Sequence, residues 1–352
     1  MRQILSLPIA LIAASAAAAV LPAARGDDSF AAAAGKAAQD AYGAQQFGWR
    51  GADQAWWFLP AELEHLGTGA FWTKDWAEVS EAKADPAPII ADYAKALKDL
   101  GIDLLVVPVP PKAAIYPEKF HAGAKEDAAA DPAPFYAALE KVGVNVFDIA
   151  PLLRKMRAAD PDGPGRPYCR QDSHWSPAAC KAVAEAIAAK FAGEDWAKAE
   201  AAKAGGFLVD DLKEFAFHGD LLTDDEKAKE PKESLHVWYA DMRSKASAPV
   251  RQRPTRRNRR SSCSATATRW SSTKARPVAC TRTELLTDHL QAALGFKVDL
   301  VANKGSGADT ARVSLYRRGS EPGYWESKKL VVWCFSEREF TRGKWRAVPV
   351  KR

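Results

Sequence analysis

The chain has 352 residues, 47% of them hydrophobic and 27% charged, ordinary globular material long enough for one large α/β domain or two small ones. Its formal charge of +6 invites a nucleic-acid partner until the charge is located: Arg243 to Thr283 holds twelve basic residues and no acid. Without those twelve the charge becomes −6, so the rest of the protein is acidic and nucleic acid is not expected as a partner.

In chain order, the first residues read as an export signal over 1–24. Arg2 is the positive start, Ile4 to Val20 an apolar run, and Ala17 to Ala24 supplies small residues suited to cleavage. The alternative is a single membrane anchor, since the run approaches the length needed to span a bilayer. Residues 25–44, with the Ala-rich Ala31 to Ala41, are expected to be a helix or linker ahead of a domain over 45–350. Ile89, Ile90, Tyr93, Leu97 and Leu100 recur at helical spacing before Gly101, a suitable C-terminal cap. Leu104 to Pro110 is an apolar run that reads as a buried strand, ended early by Pro108, Pro110 and Pro111. Val144 to Ile149, Val298 to Ala302 and Leu330 to Phe335 are further strand candidates, and Leu286, Leu290, Ala293 and Leu294 predict a helix closed by Gly295. Asn303 to Gly307 reads as a turn that could also line a site. Alternating helices and apolar strands predict an α/β fold with a mostly parallel central sheet covered on both faces, its site at the carboxyl ends of the strands.

Tyr168 to Pro177 reads Tyr-Cys-Arg-Gln-Asp-Ser-His-Trp-Ser-Pro. Ser176 is a natural N-cap and Pro177 a natural first helical residue, followed by Cys180, Val183, Ile187 and Phe191 on one face. Asp172 and His174 therefore lie in the loop before a helix. An aspartate two residues from a histidine can take the proton of one imidazole nitrogen and leave the other as a base, which is half of a Ser-His-Asp triad. Five cysteines leave at least one without a disulfide; Cys169 and Cys180 either pair across the motif or are small buried thiols. With no Cys-x-x-Cys and no paired-histidine spacing, no metal or other cofactor is expected. Of twelve tryptophans, the cluster Trp56, Trp57, Trp72 and Trp76 is suited to core packing, with sugar stacking as the alternative.

The basic stretch, 243–284, differs from everything around it. No apolar period of 2 or 3.6 survives between Val250 and Thr283, where Arg, Ser, Thr and Cys dominate. Translation of a GC-rich gene in the wrong frame has that signature. GC-rich codons for Asn258 to Lys274, read two bases forward, permit Glu-Pro-Pro-Val-Val-Val-Leu-Gly-Asp-Ser-Tyr-Ala-Leu-Val-Phe-His-Glu, an apolar strand running into a Gly-Asp-Ser turn. Its serine codon straddles Thr266 and Ala267. The competing reading is a real basic loop.

These residues resemble the alginate O-acetyltransferases of the AlgJ/AlgX type, whose domain is similar to SGNH hydrolases. The resemblance rests on Trp56 to Leu63, Val107 to Lys112, Ile115-Tyr116-Pro117, Asp172-Ser173-His174-Trp175, Gly219-Asp220-Leu221, Val331-Val332-Trp333 and Arg338-Glu339-Phe340. It implies a three-layer SGNH-hydrolase-like domain with His174 as base, Asp172 as its orienting carboxylate and a Gly-Asp-Ser-Tyr serine as nucleophile. It further implies ping-pong acetyl transfer in the periplasm, from a donor handled by a membrane-bound O-acyltransferase partner to an exported polysaccharide. This chain departs from that pattern where it matters most, since no Gly-Asp-Ser is encoded in its frame. Two other readings stay open: an acetyl-ester hydrolase of the same fold, and a non-catalytic polysaccharide-binding subunit whose basic segment grips an acidic polymer.

Overall fold

A computed structural model of the chain describes residues 26–204, 212–238, 286–302 and 307–351, and the backbone alone of 207–209 and 240–242. The expected export signal, the basic stretch and most of the Asn303 to Gly307 turn lie outside the described residues.

At the centre is a parallel three-stranded sheet in the order Asn145–Val146, Asp103–Val109, Leu330–Ser336. The central strand pairs with Leu330–Ser336 along its whole length, from Asp103 opposite Leu330 to Val109 opposite Ser336. Pro108 does not end it early. The carbonyl of Val106 accepts from the N–H of Phe147 and that of Val109 from the N–H of Glu337, so even-numbered residues face the short strand and odd-numbered ones the long strand. Pro108 therefore turns its missing N–H toward the side where the short strand has already stopped at Val146, a position that loses no ladder bond.

Alternation along both long strands builds two cores, as expected of a sheet covered on both faces. Leu105, Val107, Val332 and Cys334 pack with Val183, Ile187, Leu286 and Leu290, from the helices Pro177–Phe191 and Leu286–Leu294. Leu104, Val106, Val331 and Trp333 pack with Ile90, Leu97, Phe135 and Leu315 on the other side. These residues come from the helices Ala87–Lys98, Ala133–Lys141 and Ala308–Gly319. The fold is a three-layer α/β sandwich.

Several boundaries move for local reasons. The Ala-rich segment is the helix Asp28–Gly43, capped by the Asp27 carboxylate, and it buries Phe30, Ala34, Ala37 and Ala38 in the first core rather than preceding it as a linker. The expected strand at Val144 to Ile149 shrinks to two residues because Asp148 Oδ1 accepts from the N–H of Ala150 (2.9 Å) and starts the helix Ala150–Ala159. Val298 to Ala302 shows only bridge pairing, at 299–300. Gly101 and Gly295 stand at φ +74° and +79° just past their helices, a conformation that a Cβ disfavours. Cys169, Cys180 and Cys334 are buried thiols, so the disulfide alternative for Cys169 and Cys180 is not the one the structure adopts. Trp56, Trp57 and Trp72 are buried, in keeping with core packing.

Candidate active site

The Asp-x-His segment is a small closed loop. Tyr168 and Trp175 form an antiparallel bridge, and the N–H of Cys169 donates to the carbonyl of His174 (3.3 Å). Immediately after it the Ser176 hydroxyl accepts from the N–H of Ala179 (3.1 Å), fixing the start of the Pro177–Phe191 helix as its sequence signals. The Tyr168 hydroxyl donates to the carbonyl of Pro110, one residue past the central strand, which seats the loop at the carboxyl end of the parallel sheet.

Within the loop, Asp172 Oδ1 accepts from the backbone N–H of His174 (3.0 Å) and lies 2.6 Å from His174 Nδ1. Asp172 Oδ2 accepts from the backbone N–H of Asp220 (3.1 Å). That geometry puts the imidazole proton on Nδ1 and the basic lone pair on Nε2. The side chain of Asp172 is 2% exposed and that of His174 24%, so the carboxylate is sealed while the imidazole remains reachable. Burial alone would lower the His174 pKa; the hydrogen bond and charge of Asp172, with the charges of Asp220 and Glu62, outweigh it and hold the imidazole above its ordinary value.

Asp220 is a partner that the sequence left without a role. Its Oδ1 accepts from the N–H of Ser173 (2.7 Å), its Oδ2 from the Ser173 hydroxyl (2.8 Å), and Oδ2 lies 3.6 Å from His174 Nδ1. Burial, with the neighbouring charge of Asp172, pushes its carboxyl above the usual range. The signal was present in Gly219-Asp220-Leu221, because only a glycine permits this approach: a Cβ on Gly219 would stand 2.1 Å from the carbonyl carbon and oxygen of Gln171.

Ser173 is not placed as a nucleophile. Its hydroxyl lies 3.2 Å from Nδ1, the nitrogen that Asp172 occupies, and donates to Asp220. The proposed serine position around Thr266 and Ala267 lies outside the described residues. Asp172, His174 and Asp220 also offer three ligand atoms within 4.8 Å of one another, a set with neither cysteine nor paired-histidine spacing. In this structure Asp172 is engaged by N–H groups of His174 and Asp220, and Asp220 by the N–H and hydroxyl of Ser173.

Comparisons with known proteins agree with this architecture. The family model described as SGNH hydrolase-like domain, acetyltransferase AlgX, matches residues 71–256. The chain is 26% identical over 136 residues to the probable alginate O-acetylase AlgJ of Pseudomonas aeruginosa, covering 39% of this chain and 31% of that one. It is 26% identical over 176 residues to the namesake in Pseudomonas syringae pv. tomato, covering 49% and 40%. The match thus spans about a third to two fifths of the curated relatives' length. The solved O-acetyltransferase domain of Pseudomonas putida AlgJ superposes with a TM-score of 0.55 at 20% identity, over 84% of this chain and 92% of that one. Pseudomonas aeruginosa AlgX does so with a TM-score of 0.55 at 16% identity, over 87% and 67%. At these identities the two structures speak for the fold. The matched span covers more than half of the chain and contains the whole Asp-x-His loop, and the chain belongs to the AlgX-type family of SGNH hydrolase-like acetyltransferase domains.

Proposed function

We propose that this domain is an O-acetyltransferase acting on hydroxyls of an exported, alginate-like polysaccharide, with His174 as general base and Asp172 as the carboxylate that orients it. The observation that carries the reading is the 2.6 Å contact between Asp172 Oδ1 and His174 Nδ1 on a capped loop at the carboxyl end of the sheet. A serine nucleophile is supplied by the Gly-Asp-Ser-Tyr turn encoded out of frame around Thr266 and Ala267, so the chain in its present frame is inactive.

In the first half-reaction the serine Oγ bonds to the acetyl carbonyl carbon while its proton passes to His174 Nε2. The tetrahedral oxyanion rests on backbone N–H groups, and collapse breaks the bond to the donor's leaving group, which takes the proton from Nε2. In the second, a sugar hydroxyl attacks the acetyl-serine, Nε2 accepts its proton, and the ester bond to serine breaks as that proton returns to Oγ. The donor is handed over by a membrane-bound O-acyltransferase partner, and the reaction takes place in the periplasm after export directed by residues 1–24.

The test begins with the nucleotide sequence across the codons for Lys245 to Leu286. A compensating pair of frame shifts enclosing an in-register serine codon is expected; an uninterrupted frame with no serine codon there overturns the transferase reading. The repaired chain should react with a serine-directed phosphonate and lose that reaction in His174→Ala, whereas equal labelling of the variant removes the triad assignment. Acetyl-ester cleavage without transfer to a glycan would make it a hydrolase. Salt-sensitive polymer binding that is lost on deleting residues 251–260 would make it a binding subunit.

A further inference from the structure

The most deeply buried cation beside the loop plays no part in the chemistry above. Lys112, in the short helix Lys112–Ile115 just past the central strand, is fully buried. Its Nζ donates to the carbonyls of Trp57 (2.6 Å), Asp172 (2.7 Å) and Arg170 (3.4 Å), three acceptors that match the three protons of an ammonium. Along the same stretch of backbone, the buried carboxylate of Glu233 accepts from the N–H of Arg170 (2.7 Å) and of Gln171 (2.9 Å). The Arg170–Gln171 peptide is thus polarised between a buried cation at its oxygen and a buried anion at its N–H, and the same cation holds the carbonyl of Asp172. An ammonium this deep costs several kcal/mol of desolvation unless its protons are engaged, which ties its presence to those carbonyls.

We propose that Lys112 is a positioning residue: by gripping the carbonyls of Arg170 and Asp172, it fixes the backbone from which the Asp172 carboxylate reaches His174. Its functional meaning rests on the acyl-transfer reading, but the positioning itself is measurable in the chain as it stands. Loss of positioning and loss of charge act in opposite directions on the imidazole. Deleting a nearby positive charge raises the pKa of His174, whereas releasing Asp172 from the ring lowers it.

The experiment is an NMR pH titration of the His174 ring in the full chain, in Lys112→Met, in Lys112→Arg, and in Asp172→Asn as the reference for an imidazole without its carboxylate. The titration midpoint should fall in Lys112→Met to the Asp172→Asn value, with loss of the Nδ1–H tautomer signature, and recover in Lys112→Arg. A midpoint in folded Lys112→Met that is unchanged or higher overturns the proposal. Should Lys112→Met fail to fold, Lys112→Gln, which keeps two donors, carries the test: a partial fall supports the proposal and no fall overturns it. In the frame-repaired chain, phosphonate labelling should slow roughly tenfold to a hundredfold in Lys112→Met, the scale of an ångström of misplacement. Absence of labelling in the unsubstituted repaired chain would sink the transferase reading while leaving the titration result intact.

Discussion

Asp220 Oδ2 lies 3.6 Å from His174 Nδ1, on the same ring nitrogen that Asp172 Oδ1 holds at 2.6 Å. The imidazole is therefore served by two carboxylates of different kind: one sealed and hydrogen-bonded, the other more exposed and tied to the loop through Ser173.

The second carboxylate acts on His174 mainly through its charge. In Asp220→Asn the amide oxygen can still accept from the N–H of Ser173, so the loop is kept while the charge is removed. The His174 titration midpoint should fall, with the Nδ1–H tautomer retained, because the Asp220 charge is among those that raise it. A ring titration by NMR reads both, and an unmoved midpoint would assign the elevation to other groups.

A raised histidine pKa has a defined consequence for stability. The folded state holds the imidazole proton more tightly than an unfolded chain, whose value is near 6.5. The resulting stabilisation is fully present below about 6.5 and lost as pH rises through the folded value. The difference in urea midpoint between the unsubstituted chain and His174→Gln should thus be larger at about pH 6 than at about pH 9.5. The opposite trend would mean that burial, which lowers this pKa, outweighs the carboxylates.

What the sequence made legible follows from the range of the interactions involved. Asp172 and His174 are two residues apart, and their cap at Ser176 and Pro177 is a local signal, so pair and helix start could both be read in order. Asp220, 48 residues away from Asp172, and Glu233, some 60 from the amides it holds, are joined to the loop only by the way the hairpin Lys213–Phe217 with Glu233–Val237 folds back over it. No period or spacing encodes such contacts. Strand ends were hard to read for a related reason: Pro108 normally argues against a strand, and its tolerance depends on which neighbour its nitrogen faces, a property of the assembled sheet. Asp27 and the alanines of the first helix were visible as residues, but whether that helix is core or linker is decided by Gly35 and Gly67. The Cβ that Gly67 lacks would stand 2.7 Å from the Gly35 Cα, so the two helices meet without side chains between them.

Gly219 can be tested directly. A Cβ there meets the carbonyl carbon and oxygen of Gln171 at 2.1 Å and the amide nitrogen of Asp172 at 2.5 Å, all backbone atoms that have no rotamer by which to yield. Gly219→Ala should cost about 1–3 kcal/mol, the range for overpacking, and should disturb the amide signals of Gln171 to His174 more than those of the parallel sheet. Urea denaturation and backbone NMR check this; a variant within about 0.5 kcal/mol of the parent, the usual range for surface changes, would mean that the loop and the Gly219 turn slide apart freely.

The last prediction concerns the anion under the loop. Glu233 and Arg166 form a buried ion pair, each side chain 2% exposed, and Glu233 additionally receives the amides of Arg170 and Gln171. Arg166 is held from its other side by the carbonyls of Gly163 (2.9 Å) and Ser234 (3.1 Å). Glu233→Ala strips the guanidinium of its counter-charge and leaves two N–H groups of the loop without their acceptor, so a loss of about 3–5 kcal/mol is expected, the range for breaking a buried pair from one side. In the double variant Arg166→Met/Glu233→Met neither member of the pair is left as a lone buried charge, and part of that loss should be recovered. What cannot be recovered is the grip on the amides of Arg170 and Gln171, so the His174 ring should stay perturbed although the fold is restabilised. Urea denaturation reports the first effect and the ring titration the second. If both return to the parent values in the double variant, Glu233 serves only as the counter-ion of Arg166; if stability returns and the titration does not, the carboxylate also holds the loop in the geometry that brings Asp172 to His174.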